Sequence, residues 1–268
     1  MRVLITGATG FIGSNLVKKL AEQGHFVIAV GKLGEQEVSN FSNNIIYSAL
    51  HKLPWKDIGG IDVLFHQAAI VDTLEEDREK MFAVNVDAAM QVFESAISRG
   101  CRRIVYASST AIYGNSPTPF VEGNGEEPIN AYGMSKLELD KRAIELAAKN
   151  PNVAIVGLRY CNVFGPGESH KGRMASMVYQ LAQQLSRGEN PRVFKNGEQV
   201  RDFIYVDDVI QANLCAMKSN ASNGVVNCGT GKPVSFNHVI AALQAVMGTK
   251  RDVEYIDNPH PNYQANTS

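Results

Sequence analysis

The feature that most constrains the fold is a glycine-rich turn between the first apolar run and the first amphipathic segment. Gly7, Gly10 and Gly13 follow the apolar run Val3–Ile5 and open a helical pattern that continues to Gln23. Glycine lets a backbone turn sharply and approach another group closely. The N-terminus of the following helix presents free N–H groups and a positive dipole end, which suit a phosphate. The turn therefore predicts the first strand–helix unit of a nucleotide-binding α/β sheet.

Short apolar runs alternate with helical patterns over the first two thirds of the chain. Continuous apolar strands separated by helices are typical of a parallel sheet buried on both faces. We therefore expect an α/β fold: a doubly wound parallel (Rossmann) sheet with a smaller C-terminal lobe. The expected strands are Val3–Ile5, Phe26–Val30, Ile45–Tyr47, Val63–Phe65, Arg103–Ala107 and Val153–Leu158, and the expected helices Phe11–Gln23, Arg78–Arg99 and Ser135–Lys149.

The regular alternation of apolar runs and helical patterns ends at about residue 162. A turn cluster at Gly165–Gly167 precedes a predicted helix at Met174–Ser186, a strand at Arg192–Phe194 and a hairpin signal at Lys195–Gly197. We assign residues 1–161 to a nucleotide-binding domain, to which segments at about 200–230 return. Residues 162–268 form mainly the lobe. The cleft between the two is the expected place for a substrate.

Charge and cysteine content exclude several classes of protein. Lys and Arg number 26 and Asp and Glu 27, for a net charge of −1, so we expect neither nucleic acid nor an anionic membrane as partner. The four cysteines are scattered without a C-x-x-C pair, which indicates reduced thiols rather than a metal site or a disulfide framework.

The two ends of the chain carry further expectations. The N-terminus reads as a buried strand rather than a secretory signal, and no apolar run approaches the roughly 20 residues of a membrane span. We therefore expect a cytoplasmic protein. The chain ends at Asn266–Ser268, just after a polar loop and without a closing element, so we expect a further C-terminal piece.

The tip of the second strand bears on the choice of nucleotide. An acid at this tip binds the 2′-hydroxyl of NAD, whereas a basic residue suits the 2′-phosphate of NADP. Here the strand ends in Val30, Gly31 and Lys32, without an acid at the tip. We therefore expect NADP rather than NAD, with Lys32 on the phosphate.

A serine, a tyrosine and a lysine form the candidate catalytic group. Tyr132 and Lys136 are four residues apart and share one face of a helix. An ammonium beside a phenol favours the phenolate, which brings proton exchange nearer to neutral pH. The segment Tyr106–Thr110 lies at the end of an earlier strand, where one of its hydroxyls can hold a substrate alcohol or carbonyl.

Seven segments together resemble the extended short-chain dehydrogenases/reductases, the family of nucleotide-sugar epimerases and dehydratases. The resemblance implies hydride transfer to and from a bound nicotinamide, a nucleotide-diphosphate sugar as substrate, and a homo-oligomer. The segments are Gly7–Gly13, Asp62–Ala69, Asn85, Tyr106–Gly114, Tyr132 with Lys136, Arg159–Pro166 and Arg201–Val209.

The resemblance also assigns roles to single residues. It makes Ser109, Tyr132 and Lys136 catalytic. The implied cofactor residues are Gly7, Gly10, Phe11, Ile12, Gly13, Gly31, Lys32, Gln67, Ala68, Ala69, Asn85, Tyr132, Lys136 and Val163. The implied substrate residues are Ser109, Asn162, Arg173, Gln180, Phe194, Arg201 and Tyr263.

Three places indicate the branch of the family. Thr110 and Ala111 stand where the dehydratases have an Asp-Glu pair, so water elimination would lack its acid. His170–Ser176 and Asn262–Thr267 resemble the ADP-glyceromanno-heptose 6-epimerases, which implies Lys171 as a second base. The alternatives are a UDP-hexose 4-epimerase, which needs no Lys171, and a non-catalytic NAD(P)-binding regulator.

Overall fold

One parallel sheet of seven strands forms the centre of the molecule, in a computed structural model that describes residues 1–73, 75, 77–219, 223–258 and 266–267. The strands of the described chain are β1 (Arg2–Thr6), β2 (Phe26–Gly31), β3 (Asn44–Tyr47), β4 (Val63–His66), β5 (Arg103–Ser109), β6 (Ala154–Tyr160), β7 (Asn162–Phe164), β8 (Arg192–Phe194), β9 (Val200–Arg201), β10 (Phe203–Tyr205), β11 (Asn223–Cys228), β12 (Val234–Ser235) and β13 (Glu254–Ile256). The sheet order is β11-β6-β5-β4-β1-β2-β3. The strand order reverses between β1 and β4, as in a doubly wound fold, so the expected architecture is confirmed.

Helices cover both faces of this sheet. They are α1 (Phe11–Glu22), α2 (Trp55–Ile58), α3 (Arg78–Phe82), α4 (Ala89–Ser98), α5 (Ala131–Lys149), α6 (Met177–Ser186), α7 (Val206–Lys218) and α8 (Phe236–Met247). Val3 and Ile5 of β1 pack into a core with α1 and α7, whereas Leu4 packs into a second core with α4 and α5. Alternate strand residues thus enter opposite cores, which explains the continuous apolar runs of the sequence.

Two helix predictions need correction. The expected single helix at Arg78–Arg99 contains a π-helical segment, Ala83–Ala88, between α3 and α4. The helix expected from Met174 begins at Met177. The preceding 3₁₀ segment ends at Met174, and Ser176 caps α6 by accepting a hydrogen bond from the N–H of Tyr179, at 3.2 Å.

The smaller lobe consists of α6, α8 and short strand pairs. Its apolar core includes Leu181, Val193 and Phe236. The turn after β8 forms, but the predicted hairpin is wrong because each flanking strand takes a distant partner. β8 pairs in parallel with β13, and β9 pairs with β12 in antiparallel.

Two features of the described chain concern its environment. All four cysteines are free thiols. In the ranges described above, no helix combines the length and the apolar character needed to cross a bilayer.

Candidate active site

A cavity of about 1050 Å³ lies at the carboxyl ends of the central strands. The glycine turn, the ends of β2, β4 and β5 and the first turns of α5 contribute to its lining. Apart from Asn85, every residue expected to bind the cofactor lines this cavity. The cavity is therefore where a dinucleotide cofactor would bind.

The glycine turn forms a close-fitting floor for this cavity. Gly7 has φ +67°, and a Cβ on it would come within 2.6 Å of the Ala68 backbone nitrogen. A Cβ on Gly13 would come within 2.0 Å of the Gly7 carbonyl oxygen. Backbone rather than side chain therefore faces the cavity at the N-terminus of α1, where amides lack helical acceptors. These residues fit the pyrophosphate of a nicotinamide dinucleotide.

Asn85 supports the cavity wall from behind. Its side-chain oxygen accepts the N–H of Ile70 at 2.8 Å, and its amide nitrogen donates to the Ile70 carbonyl at 2.9 Å and to the Ser135 hydroxyl at 3.1 Å. These bonds fasten the strand-end loop that contains Ala68 and Ala69 to the start of α5. Asn85 thus shapes the wall without lining it.

Ser109, Tyr132 and Lys136 meet at one end of the large cavity. Burial raises the pKa of Tyr132, and a hydrogen bond with the Ser109 hydroxyl opposes that rise. The Lys136 Nζ lies 5.8 Å from the centre of the Tyr132 ring and donates to the Ala107 carbonyl at 2.8 Å. Burial lowers the pKa of Lys136 to about 8. The three groups can orient a hydroxyl and exchange a proton with it.

A buried carboxylate, Asp140, stands one helical turn after Lys136. It accepts hydrogen bonds from the Tyr106 hydroxyl at 2.9 Å, the Ser108 hydroxyl at 3.0 Å and the Arg159 Nε at 3.0 Å. Burial raises the pKa of Asp140, and the Arg159 guanidinium lowers it. This network joins α5 to β5 and so sets Tyr132 against Ser109.

A second cavity, of about 340 Å³, lies under the lobe beside the first. Val163, Lys171 and Met174 line both cavities. The Lys171 Nζ lies 5.1 Å from the centre of the Phe11 ring, and burial lowers the pKa of this lysine. Lys171 is therefore a second candidate proton carrier at the boundary between the cofactor side and the lobe side.

The expected substrate residues fall into four groups. Ser109 lines the large cavity. Asn162, Phe194 and Arg201 line the smaller cavity, and Asn162 donates to the Thr267 hydroxyl at 2.8 Å. Two others contact different partners: Arg173 pairs with Asp72 at 2.5 Å, and the Gln180 amide donates to the Ala175 carbonyl at 2.7 Å. Tyr263 lies outside the described residues.

The structure adds an acid that the sequence analysis missed. Glu35 lines the large cavity together with Gly31 and Lys32. Its carboxylate accepts the Thr9 hydroxyl at 2.5 Å, and the Thr9 oxygen accepts the N–H of Lys32 at 2.9 Å. The strand tip itself carries no acid, as expected, but the loop after β2 folds back over Thr9 and brings Glu35 to the same wall of the cavity. The sequence did offer a signal for this acid, because Glu35 follows the end of β2 by only four residues.

Comparisons with known proteins identify the family of this chain. The model of the NAD dependent epimerase/dehydratase family matches residues 3–229. The chain is 34% identical to the ADP-L-glycero-D-manno-heptose-6-epimerase of Brachyspira hyodysenteriae, over 96% of this chain and 84% of that protein.

Solved structures give the same picture. The ADP-L-glycero-D-manno-heptose-6-epimerase of Helicobacter pylori superposes with a TM-score of 0.88 at 35% identity, covering 100% of this chain and 86% of that one. A UDP-N-acetylglucosamine 4-epimerase from Methanobrevibacter ruminantium gives a TM-score of 0.91 at 27% identity, covering 99% and 88%. The resemblance found in the sequence is confirmed: this chain belongs to the NAD dependent epimerase/dehydratase family.

Proposed function

We propose that this protein is a nucleotide-sugar epimerase that interconverts ADP-D-glycero- and ADP-L-glycero-D-manno-heptose. The observation that carries the proposal is the placement of two candidate proton carriers around one large cavity. Tyr132 reaches it from α5 of the sheet domain, and Lys171 reaches it from the turn before α6. The 34% identical relative is named for the same heptose chemistry.

The proposed chemistry needs a nicotinamide cofactor, whose bound ring would accept hydrogen with its electron pair from the sugar carbon and later return it. Residues of the chain must move one proton off the sugar hydroxyl and one back onto the ketone oxygen. Inversion of an exocyclic carbon requires the ketone to turn between these steps. Proton carriers on different sides of the cavity suit the two orientations. One carrier gains the proton that the other loses, and solvent restores both.

Tyr132 and Lys171 divide this work in the proposal. Ser109 holds the sugar oxygen near Tyr132, and Lys136 favours the phenolate by its charge. Lys171 serves the turned ketone from the lobe side. Asn162, Phe194 and Arg201 lie in the adjoining cavity, where the Arg201 guanidinium would bind the diphosphate and Phe194 would pack against the nucleotide.

We propose NADP as the cofactor. Lys32 lines the large cavity beside Gly31 and brings a positive charge to the place where a 2′-phosphate would lie. Glu35 lies on the same wall, but its carboxylate already accepts the Thr9 hydroxyl. The two side chains act in opposite directions on the choice between NADP and NAD.

We also propose the division of the chain that the sequence indicated. Residues 1–161, with segments at about 200–230, would hold the cofactor, and the lobe would bind the sugar nucleotide. Supporting this division, β11 adds to the central sheet, whereas β8 pairs with β13 outside it.

The proposal includes a homo-oligomer in the cytoplasm, which sedimentation and cell fractionation would test.

An NMR time course tests the proposed substrate. The protein with NADP receives ADP-D-glycero-D-manno-heptose and UDP-glucose in one tube. We expect inversion of the heptose alone. Inversion of the hexose alone would contradict the proposal in favour of a UDP-hexose 4-epimerase, and cofactor binding without either reaction would favour a regulator.

Variants of two lysines test the proposed mechanism. Lys171→Met removes the amine while keeping an unbranched chain, and we expect turnover to fall by about 10²- to 10⁴-fold, the usual contribution of acid–base catalysis. The matched control is Lys141→Met, because Lys141 is exposed on α5. Equal turnover in the two variants would contradict the role of Lys171.

A further inference from the structure

The carboxylate of Glu168 is a buried anion that no step of the proposed reaction uses. The residue is 2% exposed. One carboxylate oxygen accepts the N–H of Gly165 at 3.0 Å and the Ser176 hydroxyl at 2.9 Å, and the other accepts the Ser176 N–H at 2.5 Å. Because Gly165 and Ser176 lie at opposite ends of one segment, the carboxylate closes residues 165–176 into a loop.

This closed loop carries Lys171. The N–H of Lys171 donates to the Glu168 backbone carbonyl at 2.9 Å. The 3₁₀ segment Ser169–Met174 is short and contains a non-helical residue, Gly172, with φ +52°. A segment so short cannot fix a side chain by helical hydrogen bonds alone, so the closure at Glu168 determines where the loop presents Lys171.

Contacts across the cleft orient the same loop from both sides of Lys171. The Gln36 amide nitrogen lies 3.1 Å from the Nδ1 of His170, and Arg173 pairs with Asp72. Both contacts join the loop to the sheet domain through polar side chains. The Arg173 side chain is 70% exposed, so water weakens its ion pair with Asp72. The buried carboxylate of Glu168 is therefore the firmer restraint on the loop.

Glu168 also acts on the charge of Lys171. Burial lowers the pKa of the lysine, and the negative charge of Glu168 raises it. All three groups that face the carboxylate are donors. An amide in place of the carboxylate would set an NH₂ group against one of them and would remove the charge.

We propose that Glu168 is a positioning residue for the reaction, holding Lys171 at the substrate through the closed loop 165–176. This inference rests on the role given to Lys171 in the proposed function. Glu168 itself touches neither the sugar nor the cofactor in this account.

A double-mutant cycle tests the inference. Glu168→Gln and Lys171→Met are made singly and together, and the turnover of ADP-D-glycero-D-manno-heptose is measured with NADP. We expect Glu168→Gln to lower kcat by about 10- to 100-fold, since misplacing a catalytic group by about 1 Å has an effect of this order. In the Lys171→Met background, the same change should have no further effect.

Further readouts separate positioning from general damage. NADP affinity should be unchanged in Glu168→Gln, and the Lys171-dependent limb of its kcat profile should move to lower pH. Glu168→Asp keeps the charge and should recover part of the activity. Glu189→Gln is the matched control, because Glu189 pairs with Arg187 at the surface of the lobe.

Three outcomes would overturn the inference. They are a Glu168→Gln variant as active as Glu189→Gln, an equal loss in the Lys171→Met background, and a loss of NADP affinity parallel to the loss of kcat in both Glu168 variants. Full activity in Lys171→Met would contradict the proposed function as well. A large loss in Lys171→Met beside an unaffected Glu168→Gln would contradict this inference alone.

Discussion

The two proposed proton carriers stand on regions built in different ways. Tyr132 belongs to α5, a helix of 19 residues packed against the central sheet, and Asp140 ties this helix to β5. Lys171 stands on a 3₁₀ segment of six residues that a buried carboxylate closes. Helical periodicity and an apolar core fix the first group, whereas a few polar bonds fix the second. One site can therefore combine a rigid acid–base group with one that depends on single side chains.

Loss of the Tyr132 phenol should reduce turnover more than any other single change in the sheet domain. Tyr132→Phe removes the phenol oxygen and keeps the ring, so we expect turnover to fall by about 10²- to 10⁴-fold. Cofactor affinity should change little, because the glycine turn is untouched. Steady-state kinetics and NADP titration check this result, with Tyr255→Phe as control, since Tyr255 is exposed on β13. Unchanged turnover would remove Tyr132 from the mechanism.

The positions of site residues on regular elements could be predicted from the sequence, whereas the course of the loops could not. Gly7 directly follows strand β1, and Tyr132 and Lys136 lie on helix α5. Because regular elements fix these positions, the sequence predicted that the three residues meet at one cavity. Glu35 was missed because a loop with no periodic pattern folds back to Thr9.

In the lobe, the sequence shows less of the structure. Neither spacing nor composition reveals the distant pairing of β8 with β13 or the closure of a loop by Glu168. The β8–β13 pairing joins segments far apart in the chain and depends on the assembled fold. The Glu168 closure is local, but it lies in a loop that has no periodic pattern to predict it.

A substitution in the glycine turn tests the rigidity of the sheet region. Gly7→Ala places a side chain at φ +67° and against the Ala68 backbone nitrogen. We expect the free energy of unfolding to fall by about 3 kcal/mol or more, and NADP binding to be lost. Gly24→Ala is the matched control, because Gly24 has φ +77° and nothing within 4 Å of its added Cβ. Equal denaturant midpoints for the two variants would show that the close packing at Gly7 does not contribute to the free energy of unfolding.

The pH dependence of stability tests the burial of Lys136 in the cofactor-free protein. Its folded pKa of about 8 lies below its ordinary value of 10.5. The native state therefore releases this proton first, and the unfolded state binds more protons between these pH values. The Lys136 contribution to the free energy of unfolding should rise with pH across this window, by at most about 3 kcal/mol.

The measurement is the difference between wild type and Lys136→Met. Denaturant melts across the window should give a wild-type curve that gains stability relative to the variant as pH increases. Parallel curves for the two proteins would contradict a depressed pKa at Lys136.

Changes at Lys32 and Glu35 should alter the cofactor affinity only slightly. Lys32→Ala removes an exposed charge, which is worth about 1 kcal/mol, so NADP should bind about fivefold more weakly while NAD binding is unchanged. Glu35→Gln should shift the preference in the opposite direction. Fluorescence titrations with both cofactors at low and high salt check these shifts, with Lys250→Ala as control, since Lys250 is exposed after the end of α8. An equal change for NAD and NADP would remove Lys32 from the recognition of the 2′-phosphate.

The division of work between Tyr132 and Lys171 is tested by comparing single variants on the two epimers separately. Lys171→Met and Tyr132→Phe, loaded with NADP, are mixed with ADP-D-glycero- or ADP-L-glycero-D-manno-heptose, and the absorbance of the reduced nicotinamide is followed. If each carrier serves one orientation of the sugar, each variant should reduce the cofactor with one epimer only, and the two variants should prefer opposite epimers. Reduction by both epimers in both variants would contradict the division of work between Tyr132 and Lys171.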